Sequence, residues 1–332
     1  MDQVTEQGPP KIRYDHGVHL EGTLLWFDPS RVRDFCAVTS ARVPLGKRQT
    51  KVLWGDKTAR ILAASQGRKM RGLVCPYNRA FSMGNLTIEL FPSGYVAGAA
   101  QFQVRLPDGR TLIYSGPTSM VKNRTAERIE TRHCDTLIVD ATYGHEQYTF
   151  PSRTAVEKDV VAWAQQALHD GFTPIILAGN PGKAQDVIHL LGSHKLSVRV
   201  HRAIYGFNKA YRSVGVDLPN CKQFRGHPAH GEVLVWPAHL RKSPAIRNLR
   251  KTRLAAMTGA GVMPGIARRL RVSKVFTWSL RSDYEGLLTY IRKVKPSSVV
   301  TYGNHASDLS ERLQAKGMSA RPLIQTDQMT LL

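Results

Sequence analysis

The strongest constraint on how this chain can fold is a change of rhythm near Asp135. Before it lie short β-prone runs at 23–28, 37–39, 86–91, 100–106 and 111–115, separated by turn formers such as Pro107-Asp108-Gly109. After it, buried strands alternate with amphipathic helices. Strands are predicted over 136–140, 174–178, 198–201, 232–236, 274–279 and 297–301, and helices over 154–170, 183–191, 283–293 and 307–316. Alternation of this kind predicts a largely parallel sheet covered by helices. Joined to the β-rich start, it gives a mixed α/β architecture of the αββα kind. With 332 residues there is enough chain for one large domain or two ordinary ones.

Charge narrows the function classes. The formal net charge is +22, in a chain whose 42% hydrophobic and 22% charged residues fit a folded protein and not a disordered one. A surplus of this size draws polyanions, of which nucleic acid is the commonest in a cytoplasm. The cations cluster: Arg241, Lys242, Arg247, Arg250, Lys251 and Arg253 are followed by Arg268, Arg269, Arg271 and Lys274, with almost no acidic residue between 233 and 274. A continuous basic strip for nucleic acid is expected there. A second group is Arg42, Lys47, Arg48, Lys51, Lys57 and Arg60. Either run alone reads equally well as a solvated face. The polar start of the chain and the lack of a long apolar run predict neither a secretory signal nor a membrane span. Four dispersed cysteines (Cys36, Cys75, Cys134, Cys221), none in a CxxC pair, fit a reducing cytoplasm.

Local motifs for chemistry are weak. Gly179-Asn-Pro-Gly182-Lys183-Ala184 sits between a predicted strand and helix, where backbone amides could cradle phosphate. It is no Walker A loop, because Ala184 stands where a magnesium-binding hydroxyl belongs, and a tight turn is the simpler reading. The glycines at 259, 261 and 265 lack the dinucleotide spacing. The twelve histidines include no HxH or HExxH pair, and His227 and His230 have no third ligand nearby.

Several segments, taken in order, carry a resemblance. Asp28-Pro-Ser-Arg31, Ala37-Val-Thr-Ser-Ala-Arg-Val-Pro-Leu45, Phe91-Pro-Ser-Gly-Tyr-Val-Ala-Gly-Ala-Ala-Gln101 and Ser115-Gly-Pro117 are followed by Cys134-Asp-Thr-Leu-Ile-Val-Asp-Ala-Thr-Tyr-Gly144, Trp278-Ser-Leu-Arg-Ser-Asp283 and Val299-Val-Thr-Tyr-Gly303. Over nearly its whole length the chain resembles the metallo-β-lactamase/β-CASP family, in particular its DNA-ligase-associated exonucleases and messenger-RNA 3′-end processing factors. The resemblance implies a metallo-β-lactamase-like domain of residues 1–150 and 270–332 with a β-CASP-like domain, 151–269, inserted between. It also implies two zinc ions, but the positions that would hold them are Ser40, Arg42, Pro44, Leu45, Tyr95, Pro117, Arg281 and Gly303. Only Asp140 keeps an acidic character. Zinc needs imidazole, thiolate or carboxylate, and shifting the alignment does not help, since no histidine lies between His19 and His133.

The expectation is therefore a catalytically inactive protein that uses no cofactor and binds DNA or RNA, as a subunit of a repair, RNA-processing or defence complex with protein partners. Arg42 and Arg281, on two former ligand positions, leave two readings open: a phosphate gripped without metal, or drift once the metal was lost. Two alternatives stand beside it. One is a nuclease with a rebuilt one-magnesium site using Asp140 with Asp135 or Asp283. The other is a scaffold whose charge docks an acidic protein.

Overall fold

A computed structural model describes residues 10–46, 48–67, 71–228 and 230–323, and their strands form three sheets. The helices are α1 (Asp56–Gln66), α2 (Arg153–His169), α3 (Lys183–Ser193), α4 (Arg202–Ser213), α5 (Pro244–Arg247), α6 (Ile266–Leu270), α7 (Tyr284–Val294) and α8 (Ala306–Ala315). The first sheet runs in chain order from Ile12–Tyr14 to Leu73–Val74, antiparallel at its start and parallel from Leu25–Phe27 onward. The second orders Ser319–Pro322, Ser298–Tyr302, Thr136–Asp140, Thr111–Tyr114, Ala100–Arg105, Leu86–Pro92 and Phe81–Met83. Its first four strands are parallel and the rest antiparallel.

These two sheets face each other across a core that includes Leu25, Phe27, Leu53, Leu90, Phe102, Tyr114 and Ile138. Each outer face is covered by helices. Tyr284, Leu288, Ile291, Leu309 and Leu313 of α7 and α8 pack on the second sheet. Ile61 and Leu62 of α1, with Ala210 and Tyr211 of α4, pack against Trp26, Val52 and Trp54 of the first. The layers are thus helix, sheet, sheet, helix, within the mixed α/β class expected.

The third sheet is wholly parallel and orders Lys222–Gln223, Ser197–Val200, Glu232–Pro237, Thr173–Ala178, Thr252–Thr258 and Lys274–Thr277. One face buries Ile176, Val198, Val235, Ala255 and Phe276 under α2, α3 and α4. The other buries Ile175, Leu177, Trp236 and Ala256 beneath the connections that carry α5 and α6.

The strands and helices foreseen after Asp135 are present within one or two residues. Several elements were not foreseen, among them α4, the strand Thr252–Thr258 and α1. In α4 the inward residues Ile204, Asn208 and Tyr211 keep helical spacing, but a polar Asn interrupts the apolar stripe. The strand Thr252–Thr258 is rich in alanine and flanked by cations, which hides it from β-propensity. Small residues suit it because it is covered on both faces, Ala255 on one and Ala256 on the other. Helix α1 falls in a stretch whose Lys57 and Arg60 read only as surface charge.

Candidate functional site

Parallel strands of all three sheets point their carboxyl ends toward one cleft, the usual place for ligands in α/β folds. Asp28 follows Leu25–Phe27, and Ser40 and Arg42 follow Phe35–Ala37. Asp140 and Tyr302 end neighbouring strands in register with each other. The cleft has a volume of about 640 Å³ and is lined by Asp28, Ser40, Arg42, Pro44, Tyr95, Tyr114, Pro117, Asp140, Arg281, Tyr302, Gly303 and Asp308, among others. Seven of the eight positions singled out in the sequence are therefore brought together from across more than 260 residues of chain. Leu45 is the exception and packs beside Trp26 and Trp54.

The polar network of the cleft is internally satisfied. Asp140 is 7% exposed; its Oδ2 accepts from Arg281 Nε at 2.9 Å and its Oδ1 from the backbone N–H and hydroxyl of Thr142. The Arg281 guanidinium also lies 5.3 Å from the centre of the Tyr95 ring. Burial weakens the Arg281 cation, but Asp140 outweighs it and raises the pKa beyond the usual arginine range. Asp28 accepts from the N–H and hydroxyl of Thr39 at 2.7 and 2.6 Å, and from Tyr114 at 3.3 Å. Burial, opposed by those bonds and helped by the charge of Asp140, pushes its carboxyl up to about 6.

Across the cleft, Arg42 Nη1 donates to Pro181 O at 2.6 Å, and its guanidinium lies over Gly179. The Gly179–Lys183 turn is held there by Gly182, at φ +106, where an added Cβ would stand 2.5 Å from Val96 Cγ1. Lys183 donates to Met257 O at 3.1 Å. Burial, with Arg42, Arg153 and Arg281 near it, brings its ammonium down to about 7.

The donors do not fit a zinc pair. Among the described residues no histidine or cysteine lines the cleft, and no group of three or more His, Cys, Asp or Glu is placed to hold a metal ion. Pro44, Pro117 and Gly303 offer no side-chain donor, and Arg42 and Arg281 repel a dication. The two carboxylates named for a rebuilt site are elsewhere, which corrects that alternative. Asp135 immediately precedes the strand that Asp140 ends, about 16 Å away at 3.3 Å per residue, and accepts from Thr111. Asp283 caps α7 through Gly286 and accepts from Phe150. The carboxylates the structure adds to the cleft are Asp28 and Asp308; the only sequence sign of the first was its place in the Asp28-Pro-Ser-Arg31 segment.

No family model matches the chain. Over 97% of its length it is 24% identical to a "Probable DNA ligase" of Opitutus terrae, of which the match covers 32%. Over 38% it is 22% identical to the "Probable RNase MJ4" of Methanocaldococcus jannaschii, of which the match covers 30%. The chain spans about a third of the length of these relatives. By their names the first of these relatives acts on DNA and the second on RNA. A crystal structure of a protein of unknown function from Enterococcus faecalis V583 has a TM-score of 0.58 over 90% of this chain and 81% of that one, at 13% identity, which is a likeness of fold alone.

The third sheet divides the cationic run into two faces. Arg253 and Lys274 alternate with Leu254 and Val275 and so lie on the side of α2 and α3. There Arg253 pairs with Asp170 at 2.7 Å and stacks on Phe172, and Lys274 lies over Phe276. Arg241, Lys242, Arg247 and Arg271 gather on the other face around Leu254 and Leu270. Arg250, Lys251, Arg268 and Arg269 are exposed. Of the N-terminal group, Lys57 pairs with Glu127 at 2.8 Å and Arg60 with Asp56 at 3.5 Å; Lys47 lies outside the described residues. Among the described residues, no helix is long and apolar enough to cross a membrane.

Proposed function

We propose that this chain is a catalytically inactive metallo-β-lactamase/β-CASP protein that binds DNA or RNA, as a cytoplasmic subunit of a repair, RNA-processing or defence complex. In this reading the two facing sheets with α1, α7 and α8 are the metallo-β-lactamase-like domain. Residues 151–277, the third sheet with its helices, are the β-CASP-like one, eight residues longer than the sequence suggested. The observation that carries the reading is the Arg281–Asp140 pair in the cleft. The one acidic residue retained from the expected metal set is bound by a guanidinium, which also stands on a former ligand position. Without a metal no group in the cleft lowers the pKa of an attacking water.

What remains for a phosphate is chiefly the guanidinium of Arg42, since the cleft is lined by two arginines and by the three aspartates Asp28, Asp140 and Asp308. Arg42 is exposed at its rim, and an arginine fork holds a phosphate bidentately. Arg281 is partly neutralised by Asp140, so Arg42 carries the larger share. Elemental analysis of the purified chain should find no stoichiometric zinc or manganese, and single- and double-stranded DNA and RNA should stay intact. One zinc per chain, or hydrolysis that disappears in Asp140→Ala, refutes inactivity. If the cleft holds a phosphate, Arg42→Ala should cost about 1–3 kcal/mol of binding free energy. Loss of all nucleic-acid affinity at every salt concentration tried would leave the acidic-partner scaffold as the better reading.

A further inference from the structure

The two faces of the third sheet are covered differently. Helices α2, α3 and α4 shield one. On the other, besides Phe224, the described residues place two thin connections, 238–251 and 259–273, which leave the carboxyl ends of Glu232–Pro237 and Thr252–Thr258 and return to begin the next strand at the opposite end. Each anchors itself with a few apolar side chains: Leu240, Ile246 and Leu249 from the first, and Leu270 and Val272 from the second. Their polar positions are strongly cationic, with Arg241, Lys242, Arg247, Arg250 and Lys251 in one and Arg268, Arg269 and Arg271 in the other. Neither contains an acidic residue.

Between the two connections lies a pocket of about 460 Å³, lined by Arg241, Lys242, Arg247 and Arg271 over Leu254 and Leu270. None of the four cations makes an ion pair among the described residues, in contrast to Arg253 on the other face. Leu254 lies near the amino end of its strand, whereas the cleft is reached from the carboxyl ends through Gly179, Met257 and Arg281. The pocket shares no lining residue with the cleft and lies on the outer face of the sheet.

We propose that this pocket is a second nucleic-acid site, separate from the cleft, which seats one nucleotide of a single strand with its phosphates on the arginines and its base on the leucines. The proposal rests on the nucleic-acid reading above and adds a location and a mode of contact to it. Four like charges around one cavity repel each other unless an anion enters, so the arrangement favours a ligand of high negative charge. Three of the four are arginines, whose planar forks match phosphate oxygens. The leucine floor fits the face of a base, which an acidic peptide lacks. The volume lies within the roughly 300–1,000 Å³ of small-ligand sites, larger than a bare phosphate requires. With two separate sites, one chain holds two strand segments at once.

The test uses the full chain and a labelled single-stranded dT decamer. Arg241→Ala/Arg247→Ala/Arg271→Ala should weaken binding at least tenfold and flatten the salt slope by about 2, at 0.7 per phosphate. Arg42→Ala should weaken the binding component of the cleft and leave that of the pocket in place, so that only the combined variant loses both. Photo-crosslinking of a 4-thiothymidine decamer to the wild-type chain should label peptides 238–251 or 259–273, a readout that needs no variant to fold. Unchanged affinity and slope in the triple variant, with cross-links confined to the cleft, overturns this site and leaves the cleft reading intact. Competition by a decaglutamate peptide as strong as that by unlabelled decamer overturns the choice of nucleic acid. No binding of the decamer by the wild-type chain overturns both.

Discussion

Replacing Arg281 by Met, which keeps the length of the side chain and removes its charge, tests whether a guanidinium has taken over the electrostatic place of a metal. In the native chain Asp140 has a side chain 6% exposed and that of Arg281 is 35% exposed. Removing one partner of a buried pair generally costs about 3–5 kcal/mol, because the other charge is left unpaired in low dielectric. Arg281 keeps some solvent and Asp140 retains the two donors of Thr142, which places the expected loss near about 3 kcal/mol. Asp140→Asn should cost less, about 1–2 kcal/mol, since the cation it strands reaches water and the Tyr95 ring. The double variant should lose less than the two singles together, with a coupling of about 2 kcal/mol. Urea unfolding followed by tryptophan emission measures the three variants against the native chain. A coupling under about 0.5 kcal/mol would show that the pair does not carry the charge balance of the cleft.

Asp28→Asn should stabilise the protein above pH 6, by about 2–3 kcal/mol at pH 7.5, and leave it unchanged near pH 4. The sign follows from a folded pKa raised to about 6, whose benefit is complete below 3.8 and is lost as pH rises through 6; parallel urea titrations check it. Lys183 has the opposite habit, with a folded pKa depressed from 10.5 to about 7. Relative to Lys183→Met, the native chain should therefore gain stability as pH rises from 7 toward 10, and thermal melts across that range should show the two curves converging. Gly182→Ala should destabilise by more than about 2 kcal/mol, because a Cβ at φ +106 meets both Val96 and Leu280, and a wild-type melting temperature in that variant would refute the packing argument.

The sequence by itself determined what depends on neighbours along the chain. Apolar runs bounded by turns placed Thr136–Asp140, Thr173–Ala178 and Glu232–Pro237, and periodic stripes placed α2, α3, α7 and α8, because a strand or helix declares itself within a dozen residues. The identity of each side chain also fixed what the cleft lacks: proline, glycine and arginine stand at Pro117, Gly303 and Arg281 whatever the fold does with them. Only the tertiary structure decided which of these meet. Ser40, Tyr95, Asp140 and Arg281 share a cleft because the ends of distant parallel strands are laid side by side, as in the register of Asp140 with Tyr302. The same pairing excluded Asp135, which differs from Asp140 by one strand length and faces the other end of the sheet. It also split a cationic run that looks continuous on paper. Residues adjacent in a strand point to opposite faces, so Arg253 pairs with Asp170 under the helices while Leu254 floors a pocket on the far side.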